Sequence, residues 1–216
     1  MPDATNIDRS AMRLTDVILG YDRQNLAEAL RGIAFEIGVR HIAHVRFASD
    51  KTCDACLPTA ITTYSRAWQT HYFLKSYANV DPVIAHGQKA LLPFDWESLA
   101  RDDPAVAAFF ADALKHGVGQ NGLSIPVRNG KGGQALISFS SDHERREWGG
   151  YKRRNMASLQ KLSFLVDTAT SRNSALPPEP IRLSRREEEC LTWAARGKTE
   201  KEIAEVLDIG FGSVRM

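Results

Sequence analysis

Cysteine is scarce in this chain: three among 216 residues, at Cys53, Cys56 and Cys190. So few thiols cannot build a disulfide framework. The lone Cys53-Asp-Ala-Cys56 pair also lacks the second CxxC or HxxxH that a four-ligand zinc site needs. The expectation is a turn between strands carrying two reduced thiols, with no metal. Long apolar runs are missing as well. None approaches the roughly 18 residues of a spanning helix. Met1 to Leu14 carries Asp3, Asp8 and Arg9 and has no apolar stretch of the kind a secretory leader needs. The expectation is a cytoplasmic protein without a membrane span. Charge of one sign is absent too: 28 Lys and Arg against 26 Asp and Glu leave a net charge of +2. Such a balance gives no global pull toward nucleic acid. Hydrolytic signatures are not found either. There is no HxHxDH-like metal cluster and no GxSxG elbow, so the chain reads as no enzyme and needs no cofactor.

What is present is a core. Hydrophobic residues make up 43% of the chain, enough to exclude wholesale disorder. Met12 to Gly20 and Gln24 to Gly38 carry apolar residues at helical spacing. In the second, Leu26, Leu30, Ile33, Ala34 and Ile37 form one face, and Gly38 supplies the stop. His41 to Ala48 alternates as a strand does, as does the segment around Ala60 to Tyr64. Ser65 caps a helix running to about Tyr77, with Trp68 and Tyr72 at i and i+4. Asp81-Pro82 and Asp103-Pro104 each pair a good N-cap with proline at the first helical position. Gly122 to Arg128 and Gln134 to Ser140 alternate around Asn129-Gly130, a hairpin signal. From about Glu147 a long helix begins, with Trp148, Tyr151, Leu159, Leu162, Leu165 or Val166, and Ala169 on one stripe. That stripe suits either an intramolecular core or a dimer seam. Ser171 to Glu179 is polar and proline-rich and reads as a linker.

The stretch from Leu183 to Met216 reads as two helices and the start of a third. Ser184 with Glu187, and Thr199 with Glu202, are two capping boxes. Gly197 ends the first helix, Gly210 permits the later turn, and Ser213 is placed to cap a third helix. This is the pattern of a helix-turn-helix, or of a helical hairpin that merely packs. From Arg182 onward seven Lys and Arg meet seven Asp and Glu, so the fragment is neutral where phosphate contacts need positive charge. Val214 to Met216 is less than one turn, too short for a base-reading helix.

With these residues in view, the chain resembles the LuxR family of quorum-sensing regulators, its TraR-type members above all. The tail carries the resemblance through Leu183-Ser-Arg-Arg-Glu-Glu-Glu-Cys-Leu, Trp193-Ala-Ala-Arg-Gly-Lys-Thr, Lys201-Glu-Ile-Ala and Gly212-Ser-Val-Arg215. The first domain carries it through Tyr64-Ser-Arg-Ala-Trp68-Gln-Thr-His-Tyr72, Asp81-Pro82, Trp96 and Gly122. The resemblance implies an α/β fold, an α-β-α sandwich around a central antiparallel sheet. An acyl-homoserine-lactone-binding and dimerisation domain would span residues 1–171, a linker 172–182, and a truncated all-α helix-turn-helix 183–216. It implies dimerisation through the long helix. The glycine-rich Asn129 to Gly133 turn and the Cys53–Cys56 turn are not features of the family.

The resemblance also implies a ligand set of Tyr64, Trp68, Tyr72, Asp81, Trp96 and Ser138. An amide N–H of the ligand suits the Asp81 carboxylate. The lactone carbonyl suits the donor-only indole of Trp68, and the amide carbonyl suits the Tyr64 phenol. Tyr72 and Trp96 offer flat walls with polar tips. Ser138 aligns with a hydroxyl position that reaches a substituted acyl chain in some members. Read from the residues alone, Trp68, Tyr72 and Trp96 are core aromatics, and Asp81 is a helix cap.

Two functional expectations follow. In the first, the chain binds the lactone, pairs with itself or with a full-length relative, does not bind DNA, and inhibits by forming mixed dimers. In the second, it is an ordinary DNA-binding activator whose sequence continues.

Overall fold

The computed structural model of the chain describes residues 7, 9, 23–47, 59–99, 102–128, 133–173, 184–195 and 197–210. It divides into two units, Met1–Asn173 and Ser174–Met216. The expected helix at Met12 to Gly20, the cysteine turn, the Asn129-Gly130 turn, the linker beyond residue 173 and the Ser213-capped helix lie outside the described residues.

The first unit is an α-β-α sandwich. Helix α1 (Arg23–Ile37) leads into β1 (His41–Phe47) and β2 (Thr59–Thr62), then α2 (Arg66–Leu74), α3 (Pro82–Gly87), the short β3 (Phe94–Asp95), α4 (Pro104–Lys115), the hairpin strands β4 (Asn121–Arg128) and β5 (Gln134–Ser141), and the long α5 (Arg145–Asn173). The sheet order is β2-β1-β5-β4-β3, and every neighbouring pair is antiparallel. Alternation along the strands then sends side chains to two layers. Leu123, Ile125, Val127, Ala135, Ile137 and Phe139 face one layer, with Leu26, Leu30 and Ile37 of α1 and Trp148, Tyr151, Leu159, Leu162, Val166 and Ala169 of α5. Leu136 and Phe47 face the other, with Trp68, Tyr77, Val83, Trp96 and Phe109. The α5 stripe is therefore intramolecular core, buried to 2% exposure or less. Any pairing surface on this helix has to use its other faces.

Local signals explain most boundaries. Gly38 adopts φ +72°, and Val39 N–H reaches Ala34 O at 3.0 Å, a left-handed cap that closes α1. The Asp81 and Asp103 caps form as the sequence predicts. Three expectations need correction. Helix α2 stops at Leu74 instead of Tyr77, because Ser76 turns left-handed at φ +52°. A separate 3-10 turn at Tyr77–Asn79 then brings Tyr77 back into the core. Helix α5 starts earlier, at Arg145, and runs to Asn173, absorbing the first residues of the expected linker. Its last turn is held by Ser171 Oγ donating to Asp167 O at 2.7 Å and by Arg46 donating to Ser171 Oγ.

The second unit contains α6 (Arg185–Ala195) and α7 (Glu200–Leu207). Both capping boxes form. Ser184 and Glu187 exchange hydrogen bonds of 2.6 and 3.3 Å, as do Thr199 and Glu202. Cys190, Ile203 and Leu207 pack together with Trp193 and Ile209. Gly197 ends α6 at φ +81°. The left-handed residue after α7 is Asp208, at φ +50°. Aspartate tolerates this conformation better than most side chains.

Candidate functional site

The layer between the sheet and α2, α3 and α4 gathers all six residues expected to bind a ligand. Ser65 Oγ accepts Trp68 N–H at 3.2 Å and starts α2 so that Trp68 turns inward, 3% exposed. Its ring stands edge-on to Tyr72 at 5.8 Å and packs on Tyr77 and Phe109, each at 5.9 Å. Tyr64 and Tyr72 are partly buried against the same cluster. Tyr64 also meets His41 edge-on at 5.2 Å.

Asp81 is the N-cap of α3, with Pro82 after it. Its Oδ1 accepts Val83 N–H at 2.8 Å and Ile84 N–H at 3.3 Å. Its Oδ2 accepts the Tyr72 hydroxyl at 3.0 Å. The carboxylate is 7% exposed, and no ion pair reaches it among the described residues. Burial without a cation pushes its pKa up to about 6, although its three hydrogen bonds oppose the rise. Burial first, and the Asp81 charge second, push the Tyr64 and Tyr72 phenols upward. Both hydroxyls therefore stay protonated and remain donors at neutral pH.

Trp96 opens a 3-10 turn after β3. Its indole lies flat against Gly122, where an added Cβ would fall 2.1 Å from Cδ2. The Nε1–H donates to Ser124 Oγ at 2.8 Å, and Ser124 Oγ lies 2.7 Å from Ser138 Oγ. The polar tip that was expected to face a ligand is thus taken up by Ser124. Ser138 is joined to Trp96 through the same serine.

Sequence reasoning missed Ser124 and Tyr77. Ser124 pairs with Ser138 across the hairpin register, so alternation counted from Leu123 and Ile125 would have put it on the site face. Tyr77 carried no such signal, because a left-handed Ser76 sets its direction. The Tyr77 hydroxyl donates to Asp112 Oδ2 at 2.6 Å, and His71 Nε2 lies 2.9 Å from the same oxygen. Tyr77, with His71 helping, holds the Asp112 carboxyl well below its usual range, and burial pushes the Tyr77 phenol up to about 12.

Two open depressions, of about 460 and 570 Å³, flank α2. Arg66, Thr70 and Leu74 line both. Tyr64 lines the larger and is the one expected ligand contact to do so. Among the described residues no group of His, Cys, Asp or Glu is arranged to hold a metal ion. No helix among them is long and apolar enough to cross a membrane.

These features define a class: an α-β-α domain with an aromatic layer around a buried carboxylate, joined in one chain to a helix-turn-helix. Residues 22–169 match the model of the autoinducer binding domain, and residues 182–216 match that of the bacterial regulatory proteins, luxR family. The chain belongs to the LuxR family of quorum-sensing regulators. It is 31% identical over 165 residues to the transcriptional activator protein RaiR of Rhizobium etli, covering 74% of this chain and 66% of RaiR. It is 30% identical over 193 residues to the quorum sensing-dependent regulator VjbR of Brucella melitensis, covering 83% of this chain and 73% of VjbR. The chain thus spans about two thirds to three quarters of these relatives. Among solved structures, SdiA in complex with octanoyl-rac-glycerol superposes with a TM-score of 0.63 at 20% identity, covering 99% of this chain and 86% of that one. CepR2 from Burkholderia cenocepacia, an N-acylhomoserine lactone dependent factor, superposes with 0.64 at 18% identity, covering 79% and 99%. At such identities the structural likeness speaks for the fold. The luxR-family match runs through residue 216, and the similar proteins are named as activators and regulators. The comparisons therefore give the inhibitory mixed-dimer expectation no support.

Proposed function

We propose that the chain is a DNA-binding transcription regulator controlled by an N-acyl homoserine lactone, which it binds through Tyr64, Trp68, Tyr72, Asp81, Trp96 and Ser138. One observation carries this reading. Asp81 is a buried carboxylate, set in an aromatic layer, that among the described residues has no cation and only three hydrogen-bond donors. An ionised carboxylate offers about four lone-pair sites. Val83, Ile84 and Tyr72 take three of them. The remaining site on Oδ2 suits a ligand amide N–H, and burial makes such a charge-assisted bond strong. Trp68 would supply a donor to the lactone carbonyl, and Tyr64 one to the amide carbonyl. The surrounding rings would cover the apolar chain. The family match of both units supports joining this sensing role to DNA binding. Residues 1–173 would sense and pair, and 183–216 would belong to the helix-turn-helix. The LuxR-type reading implies a homodimer on DNA. No catalysis is proposed.

The test is retention of ligand. The protein would be expressed with a mixture of N-acyl homoserine lactones of different chain lengths, purified, extracted and analysed by mass spectrometry. One intact lactone should be recovered near one equivalent. Recovery of none from the panel, or of the ring-opened hydrolysis product alone, would refute the reading.

A further inference from the structure

Helix α2 has a second face. Trp68 and Tyr72 lie on its inner side, within the aromatic layer. Arg66, Thr70 and Leu74 are exposed and stand in one i, i+4, i+8 row on the outer side. This row borders both open depressions. Gln69 and Phe73 continue the surface on one side, toward Arg31 of α1. Ala67 and His71 continue it on the other, toward His116 at the end of α4. A row of side chains with a groove along each flank is the surface that helices use to pack on one another, the ridges of one entering the grooves of the other.

The chemistry of this face is one-sided. Phe73 and Leu74, adjacent at the C-terminal end of α2, are 79% and 74% exposed. Neither depression is lined by an acidic residue, and Arg66 and Arg31 both border the larger. Among the described residues no ion pair reaches either guanidinium. Asp112 is taken up by His71, Tyr77 and Lys115 and lines neither depression. A guanidinium fork matches a carboxylate. Arg66 and Leu74 are eight residues apart, about 12 Å along the helix axis. The face therefore offers cations at one end and bare apolar side chains at the other.

We infer that the outer face of α2 docks a short, acidic, amphipathic helix of a partner protein. The partner's carboxylates pair with Arg66 and Arg31, and its apolar row, about two turns along, covers Phe73 and Leu74. A helix fills the two depressions, whereas a flat anionic membrane touches the ridge and leaves them empty. A second copy of the same face is disfavoured by charge, because a two-fold contact sets this cationic patch against itself. The inference does not depend on which ligand occupies the layer on the inner side of α2.

The experiment pans a phage-displayed library of helical peptides against the full chain. The dissociation constant of the most enriched peptide is then measured by fluorescence anisotropy. Enriched sequences should carry Asp or Glu about two turns from Leu, Ile or Phe. Arg66→Glu should weaken the peptide about tenfold. Exchanging the peptide's acidic residues for lysine should abolish binding to the wild type and restore it to Arg66→Glu, a rescue that a misfolded variant cannot give. Leu74→Lys, which leaves the guanidiniums in place, should weaken the original peptide as well. Enrichment of no peptide, of peptides without acidic residues, or of one that binds either variant as tightly as the wild type overturns the inference. Binding to phosphatidylglycerol vesicles with no peptide enriched assigns the face to a membrane and overturns it too. So does a dimer in sedimentation that Leu74→Lys dissociates, which assigns the face to a second copy.

Discussion

The Tyr72 hydroxyl donates to Asp81 Oδ2 at 3.0 Å, tying the middle of α2 to the first residue of α3. Oδ1 meanwhile holds the Val83 and Ile84 amides. The two oxygens thus have separate tasks: one caps a helix, and the other takes a phenol and, among the described residues, no second donor. Asparagine caps a helix about as well as aspartate, so Asp81→Asn separates the tasks. The variant should keep its fold, with an unfolding midpoint in urea close to the wild type's. Lactone affinity should fall by about 1.5–3 kcal/mol, the range for a hydrogen bond to a charged group. Titration calorimetry showing equal affinity for the two proteins would remove Asp81 from the site.

Asp81 also predicts how binding responds to pH. Its folded pKa is raised to about 6, against about 3.9 for an unfolded aspartate. A raised acid favours folding most when it is protonated. Its contribution is therefore fully present below about 4 and is lost as pH rises through about 6. Ligand binding has the opposite sign. An amide N–H needs the carboxylate, so affinity should climb as pH rises through about 6, with a proton released near that pH. Asp81→Asn should flatten both trends. Calorimetry in buffers of different ionisation enthalpy would detect the proton. No release at pH 6 would mean that Asp81 does not ionise on binding.

Gly122 and Trp96 make a third prediction. A methyl group at Gly122 would lie 2.1 Å from Trp96 Cδ2 and 2.3 Å from Cε2, inside the rigid ring. The ring cannot yield without moving Nε1 away from Ser124. Gly122→Ala should destabilise the first unit by about 1–3 kcal/mol, as overpacking does. Gly122→Ala combined with Trp96→Ala should recover part of that loss relative to Trp96→Ala alone. Strict additivity of the two changes in urea unfolding would show that they do not touch.

The sequence made the local framework readable because its signals were local. Asp81-Pro82, Asp103-Pro104, Ser184 with Glu187, and Thr199 with Glu202 each fix a helix start within four residues. Strand alternation likewise placed β4 and β5 correctly. Features that depend on partners distant in sequence were harder to see. The α5 stripe was equally consistent with a core and a seam until the sheet was placed against it. The tip of Trp96 looked free because Ser124, 28 positions away, had not been paired with it. Tyr77 falls outside α2 because Ser76 turns left-handed, and nothing in the neighbouring residues announces that turn. For the site, the motif named the residues, but the chemistry of Asp81 came from its burial, which spacing does not report.

His44, Arg46 and Asp167 illustrate the same dependence on distance, and they carry a prediction of opposite sign. His44 Nε2 lies 2.9 Å from Asp167 Oδ1, and Arg46 donates to the same oxygen at 2.6 Å. Strand β1 is thereby fastened to the last turns of α5. His44 and Asp167 are buried, while Arg46 is a quarter exposed. Burial alone would raise the Asp167 pKa, but the hydrogen bonds and charges of His44 and Arg46 prevail and lower it. A lowered acid stabilises the fold above its unfolded pKa of about 3.9, and that contribution is lost as pH falls further. Asp81 and Asp167 therefore act on different sides of pH 4. Between about 4 and 6, deprotonation of Asp81 erodes stability as pH rises. Below about 4, protonation of Asp167 erodes it as pH falls. Removing one member of a buried pair costs about 3–5 kcal/mol, and the exposure of Arg46 moves Asp167→Ala toward the lower end. The variant should unfold at lower urea concentration at pH 7, and its remaining stability should depend less on pH below 4 than that of the wild type. A loss under about 1 kcal/mol, with the acid limb unchanged, would show that the network does not fasten α5 to the sheet.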